Sequence, residues 1–128
     1  MDMELIQTAS ALHQQSQELE EKLGFIQNQI SELEEFTNSL NSIISTKETS
    51  MLSSLGKCVF VKTNLEEKKL FVEVGSGIVV RKTPEETKEV IQNQIKRLLQ
   101  LKVQLSSQLD SLQSQLRIMI EQIENSQN

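Results

Sequence analysis

The 128-residue sequence has no Trp and no Tyr, and its four Phe leave aromatics at 3%. Large rings supply much of the buried area of a globular core, so little material for one is present. Gly and Pro are scarce as well, with four Gly and one Pro, and all but Gly24 sit near the middle of the chain. Cysteine occurs once, as Cys58, which excludes an internal disulfide framework and suits a reducing, cytoplasmic compartment. Histidine occurs once, as His13, far from Cys58 in sequence. A Cys–His nucleophile or a metal site built on the pair is therefore excluded, and no cofactor is expected. The net charge is −5 and neither end carries a basic block, so nucleic acid is a poor partner, because phosphate binding needs clustered Lys or Arg. No apolar run is long enough to span a bilayer, so no membrane partner is expected. Met1-Asp2-Met3-Glu4 lacks the basic and apolar regions of a secretory signal.

Catalytic patterns are missing too. Gly75-Ser76-Gly77 lacks the spacing of a phosphate loop and leads into an apolar strand pattern, which reads as a hairpin turn. Glu20-Glu21, Glu34-Glu35 and Glu66-Glu67 fall on solvated faces or a loop, with no surrounding pocket to perturb them. The sequence does not read as an enzyme.

What is present is a long-helix composition, rich in Gln, Ser, Glu, Leu, Ile and Lys. Stepping alternately by four and three from Leu5 gives Ala9, Leu12, Ser16, Leu19, Leu23, Ile26, Ile30, Leu33, Thr37, Leu40, Ile44 and Lys47; all but Ser16, Thr37 and Lys47 are apolar. This 3.5-residue period predicts one narrow stripe facing a partner helix. The same stepping from Ile91 gives Ile95, Leu98, Lys102, Leu105, Leu109, Leu112, Leu116, Met119 and Ile123, with Lys102 the single break. Thr83 is placed to cap this second helix, Pro84 to take its first position and Glu86 to complete a capping box. The expected helices run from about Glu4 to Glu48 and from Pro84 to about Glu124, each roughly 60–70 Å at 1.5 Å per residue.

Between them the period becomes that of strands. Cys58-Val59-Phe60-Val61, Leu70-Phe71-Val72-Glu73-Val74 and Ile78-Val79-Val80 are rich in β-branched and aromatic residues, and Met51 to Leu55 suits a shorter strand. Asn64 to Lys68 reads as a polar hairpin loop within a four-stranded meander, and Cys58 as a small apolar strand residue. Val59, Phe60, Val61, Leu70, Val72, Val74, Ile78 and Val80 make the strands apolar on both faces. Other chains must cover what this one cannot.

A connection of about 35 residues lets the second helix return antiparallel to the first, with Ile26 near Leu105 and Leu12 near Met119 and Ile120. The expected architecture is a single domain, 1–128: a coiled-coil helix over about 4–48, a β-hairpin assembly segment over about 51–82, and a second coiled-coil helix over about 84–124. At the far end of the pair lie Leu5, Ile6, Ala9, Leu12, Ile118, Met119, Ile120 and Ile123. Ile6, Ile118 and Ile120 fall off the stripe, so the apolar surface is wider than a two-helix seam needs, which points to protein binding. Gly24 interrupts the first helix, through close packing, simple tolerance or a soft point.

The central residues resemble those of a known family. Leu52-Ser53-Ser54-Leu55-Gly56-Lys57-Cys58-Val59-Phe60-Val61-Lys62 is similar to the Leu-Val-Pro-Ile/Leu-Gly…Phe-Leu/Val-Lys stretch of prefoldin α-class subunits. Val74-Gly75-Ser76-Gly77-Ile78-Val79-Val80-Arg81-Lys82 resembles their turn and final strand, followed by a helix opening like Thr83-Pro84-Glu85-Glu86. Ser54 stands where the family has proline, and Ile78 where it has an aromatic. The resemblance implies a hetero-oligomer of two α-class and four β-class subunits, with two hairpins from each α-class chain entering two β-barrels. It also implies ATP-independent capture of unfolded proteins by the coiled-coil tips and delivery to a group II chaperonin in the cytoplasm. The alternative is a structural subunit of a prefoldin-like scaffold that holds no client.

Overall fold

The computed structural model describes residues 3–127, in the order α1 (Met3–Ser45), β1 (Ser50–Gly56), β2 (Val59–Asn64), β3 (Leu70–Gly75), β4 (Ile78–Lys82) and α2 (Pro84–Gln127). Met1, Asp2 and Asn128 lie outside the described residues, and with them the start of the Met1-Asp2-Met3-Glu4 reading and the outermost ends of the 1–128 domain. The chain forms two compact units: residues up to Glu32 with those from Ile95 onward, and the intervening Leu33–Gln94.

The first unit is an antiparallel pair of helical arms. The Gln113 Nε2 donates to Glu20 Oε1 at 3.5 Å, whereas Ile26, further along α1, lies against Leu98 and Leu105, further back along α2. Both stripes point inward as their period requires. Ala9, Ser16, Ile26 and Ile30 are buried; Leu5, Leu12, Leu19, Leu23, Ile95, Leu98, Lys102, Leu105, Leu109, Leu112, Leu116, Met119 and Ile123 are half-buried. The Ser16 hydroxyl sits in this seam with no hydrogen-bond partner, a cost on the order of 1–3 kcal/mol against packing an apolar group there. A Cβ added at Gly24 would meet nothing within 4 Å, so close packing is not the reason for this glycine. Gly24→Ala should therefore stabilise the helix by about 1 kcal/mol, read from urea titration of helicity.

In the second unit the α2 start is built as its residues dictate. Thr83 Oγ1 accepts the Glu86 N–H at 3.1 Å, and Thr83 O accepts the Thr87 N–H at 3.0 Å. Leu40 is 1% exposed, and Pro84, Thr87 and Ile91 are also buried. The end of α1 differs from expectation. The helix stops at Ser45, three residues before Glu48, so Lys47 leaves the stripe and is exposed. The side chains of its last turns favour that earlier end: Thr37, Ser39 and Ser42 hydroxyls donate back to carbonyls four residues earlier, at Leu33, Glu35 and Asn38, and three such back-bonds close together each slightly weaken the helix.

The strands form two separate antiparallel hairpins, β1–β2 and β3–β4, as the family resemblance implied, and not the meander suggested by strand composition. Asn64 to Lys68 is thus no hairpin loop. Asn64 ends β2, and the residues after it connect the hairpins. The first hairpin turns at Lys57-Cys58, so Cys58 is a turn residue and exposed, not an apolar strand residue. Both turns share one plan. Lys57 (φ 50°) and Cys58 (φ 62°) match Ser76 (φ 51°) and Gly77 (φ 75°), with the positive φ at both central positions that a type I′ turn demands. Each turn follows a glycine, Gly56 or Gly75, and each pairing shifts register just before that glycine. The left-handed region costs an L-residue roughly 1–2 kcal/mol. Cys58→Gly is expected to raise stability by about 1 kcal/mol with the hairpin unchanged, measured by thermal unfolding.

Candidate functional site

Each hairpin stands alone as a two-stranded sheet, so among the described residues every strand is an edge strand. Outer edges carry unpaired N–H and C=O groups, and an isolated hairpin is marginal in water. In β3–β4, Leu70 pairs with Lys82 and Val72 with Val80 on one face, where Leu70, Val72 and Lys82 are half-buried. The other face carries Phe71, 69% exposed, opposite Arg81, whose guanidinium carbon lies 5.6 Å from the ring centroid. Such an exposed cation–π contact is worth about 0.5–1 kcal/mol and orients the pair without covering it.

The first hairpin has the same two-faced character. Ser53 and Thr63, both half-buried, share a 2.8 Å hydroxyl–hydroxyl bond across the strands, and Thr63 Oγ1 also donates to Met51 O at 3.2 Å. These bonds fix register from within. Val59, Phe60 and Val61 are all exposed, Phe60 by 58%, and so are Val74, Ile78 and Val80 in the second hairpin. Of the eight strand residues singled out from sequence, only Leu70 and Val72 are even half-buried. The remaining apolar area faces outward.

The other candidate surface belongs to the first unit. Ile118 is 55% and Ile120 45% exposed, both off the α2 stripe, while Met119 and Ile123 on the stripe are half-buried. On α1, Leu5, Ile6 and Leu12 are half-buried and Ala9 is buried, so Ala9 serves the seam and offers little outward surface. The antiparallel register puts Leu12 level with the Ile120 turn, which brings the two sets to the same end of the pair.

Two features escaped the sequence reading. Phe25, 63% exposed, and Leu101 flank a groove floored by Ile26, Leu98 and Leu105 and rimmed by Glu18, Glu21 and Lys22. Counting apolar residues just off the stripe, as at the tip, would have found them. The second is Lys68, whose ammonium reaches back to the end of α1; nothing in the local sequence marks that contact. Among the described residues no group of three or more His, Cys, Asp or Glu is gathered to hold a metal, and no helix is long and apolar enough to cross a membrane.

The family model described as Prefoldin subunit matches residues 12–128. The chain is 31% identical over 106 residues to prefoldin subunit alpha of Archaeoglobus fulgidus, a match spanning 76% of this chain and 77% of that relative. Its fold resembles that of filamentous PFD from Methanocaldococcus jannaschii, solved by cryo-EM, with a TM-score of 0.76 over 90% of this chain and 97% of that one at 24% identity. Two heptad helices, two glycine-turned hairpins with open edges and a sequence match over most of the length agree on one placement: the chain belongs to the prefoldin family of chaperone subunits, as an α-type member.

Proposed function

We propose that this chain is a subunit of an ATP-independent holdase, acting as one domain whose hairpins assemble and whose helix ends bind clients. The observation that carries the assembly half is the pair of two-stranded sheets with exposed apolar faces and open edges. Strands from β-class subunits would extend these sheets into barrels, in a hexamer of two α-class and four β-class chains. Each newly buried strand side chain contributes roughly 1.5–3 kcal/mol. Val59, Phe60, Val61, Leu70, Val72, Val74, Ile78 and Val80 carry that contact.

The client-binding half rests on the exposed Ile118 and Ile120, which a two-helix seam does not use. Leu5, Ile6, Leu12, Met119 and Ile123 complete the surface over the buried Ala9. One such patch binds weakly, but several on one complex hold an unfolded chain by avidity. Weak individual contacts also let go without a nucleotide, which suits hand-over to a group II chaperonin in the cytoplasm.

Val61→Asp with Val72→Asp should yield a helical species that fails to enter the hexamer, as sedimentation with partner subunits would show. An unchanged hexamer would refute assembly through the strands. Changing Ile6, Ile118 and Ile120 together to Ser should leave helicity and complex mass intact and reduce protection of a chemically denatured client on dilution. Because partner subunits carry tips of their own, the comparison is made with those tips trimmed. Full protection by the mutant complex would favour a scaffold without clients.

A further inference from the structure

Helix α1 carries no basic residue in its last turn, so its terminal carbonyls, the negative end of the helix dipole, have no cation of their own. The cation arrives from the segment between the hairpins. Lys68 Nζ donates to Ile44 O at 3.0 Å and to Thr46 O at 2.7 Å. The other end of the same segment is tied as well. The Leu65 N–H donates to Thr49 O, and the half-buried Leu65 lines a recess together with Ser42, Ile43, Thr46 and Met51. Glu66, Glu67 and Lys69, between and beside these anchors, are exposed.

We infer that Lys68 is a positioning residue: its ammonium pins the inter-hairpin segment to the C-terminus of α1, so both hairpins depart from one fixed point. A lysine suits this place because a compact ammonium on a flexible stem can satisfy two carbonyls at once. Released, the five residues from Leu65 to Lys69 could extend to about 17 Å, and the hairpins would sample many relative directions. Pinned, they lose that freedom before any partner arrives, which lowers the ordering cost of docking two edges together. The end of α1 needs the help, since Ser45 and Ser42 direct their hydroxyls to backbone carbonyls of the helix itself. The functional consequence rests on the strand-assembly reading; the clasp itself does not.

The test compares Lys68→Met and Lys68→Arg in the full chain by two measurements. Amide exchange of the chain alone should quicken about tenfold at the hydrogen-bonded amides of Thr46, Glu48 and Leu65 in the Met variant, with the rest of both helices unchanged, and the Arg variant should stay close to wild type. Reconstitution with the native partner subunits should weaken about tenfold for Met and be rescued by Arg. Wild-type exchange at these amides in the Met variant would overturn the clasp, and equal loss in Met and Arg would overturn the role of charge. Faster exchange with unimpaired reconstitution would overturn the positioning role while leaving strand assembly standing, because that reading is challenged separately at Val61 and Val72.

Discussion

The chain has almost no interior. Among the described residues the buried apolar side chains are Ala9, Ile26, Ile30, Leu40, Pro84 and Ile91, all of them on helices and all but Pro84 on the 3.5-residue stripes. A stripe of this period gives each helix one narrow contact and leaves the rest of its circumference in water. Stability must then accumulate along length, in many small increments, and not in a central cluster. That explains why two helices of 43 and 44 residues are needed, and why interruptions such as Ser16 and Lys102 are tolerated: each weakens one layer among many.

The two kinds of element solve the backbone problem differently. A helix closes its own N–H and C=O groups apart from a few at each end, and here the ends are served by Thr83 for α2 and by Lys68 for α1. A hairpin closes only half of its groups. The helical arms can therefore stand in solvent unaided, while hairpins with open edges are marginal on their own. The division of labour proposed above, client contact by the arms and assembly by the hairpins, would follow from this difference in self-sufficiency.

Much of the helical part was legible in the residues. The stripe positions from Leu5 to Ile44 and from Ile91 to Ile123 are all buried or half-buried, because a heptad pattern states its own geometry. The Thr83-Pro84 start was equally plain, since capping is local chemistry. Strand pairing was legible only through the family resemblance, which implied the two hairpins that the structure has. Composition marks Val59 to Val61 and Leu70 to Val74 as strands but does not say which neighbours pair, and Lys57-Cys58 lacks the Asn-Gly signature that would have betrayed a turn. The stop at Ser45 follows a run of hydroxyls that bond back to the helix, each a small effect that no single residue of the sequence announces. The off-stripe surface was found at Ile118 and Ile120 and overlooked at Phe25 and Leu101, where the same counting applied.

The exposed strands also govern what becomes of a copy made without its partners. Such a molecule shows Leu52, Leu55, Phe60, Phe71 and Val79 to solvent beside open hydrogen-bonding edges, the combination that recruits like chains into aggregates. Lys62, Glu73, Arg81 and Lys82, interleaved along the same strands, slow that process through repulsion but do not abolish it. On the assembly proposed above, an orphan copy would be prone to self-association through these edges, and pairing with partner strands would remove the hazard. If the holdase reading holds, a protein that shields others from aggregation would itself need shielding until it is assembled.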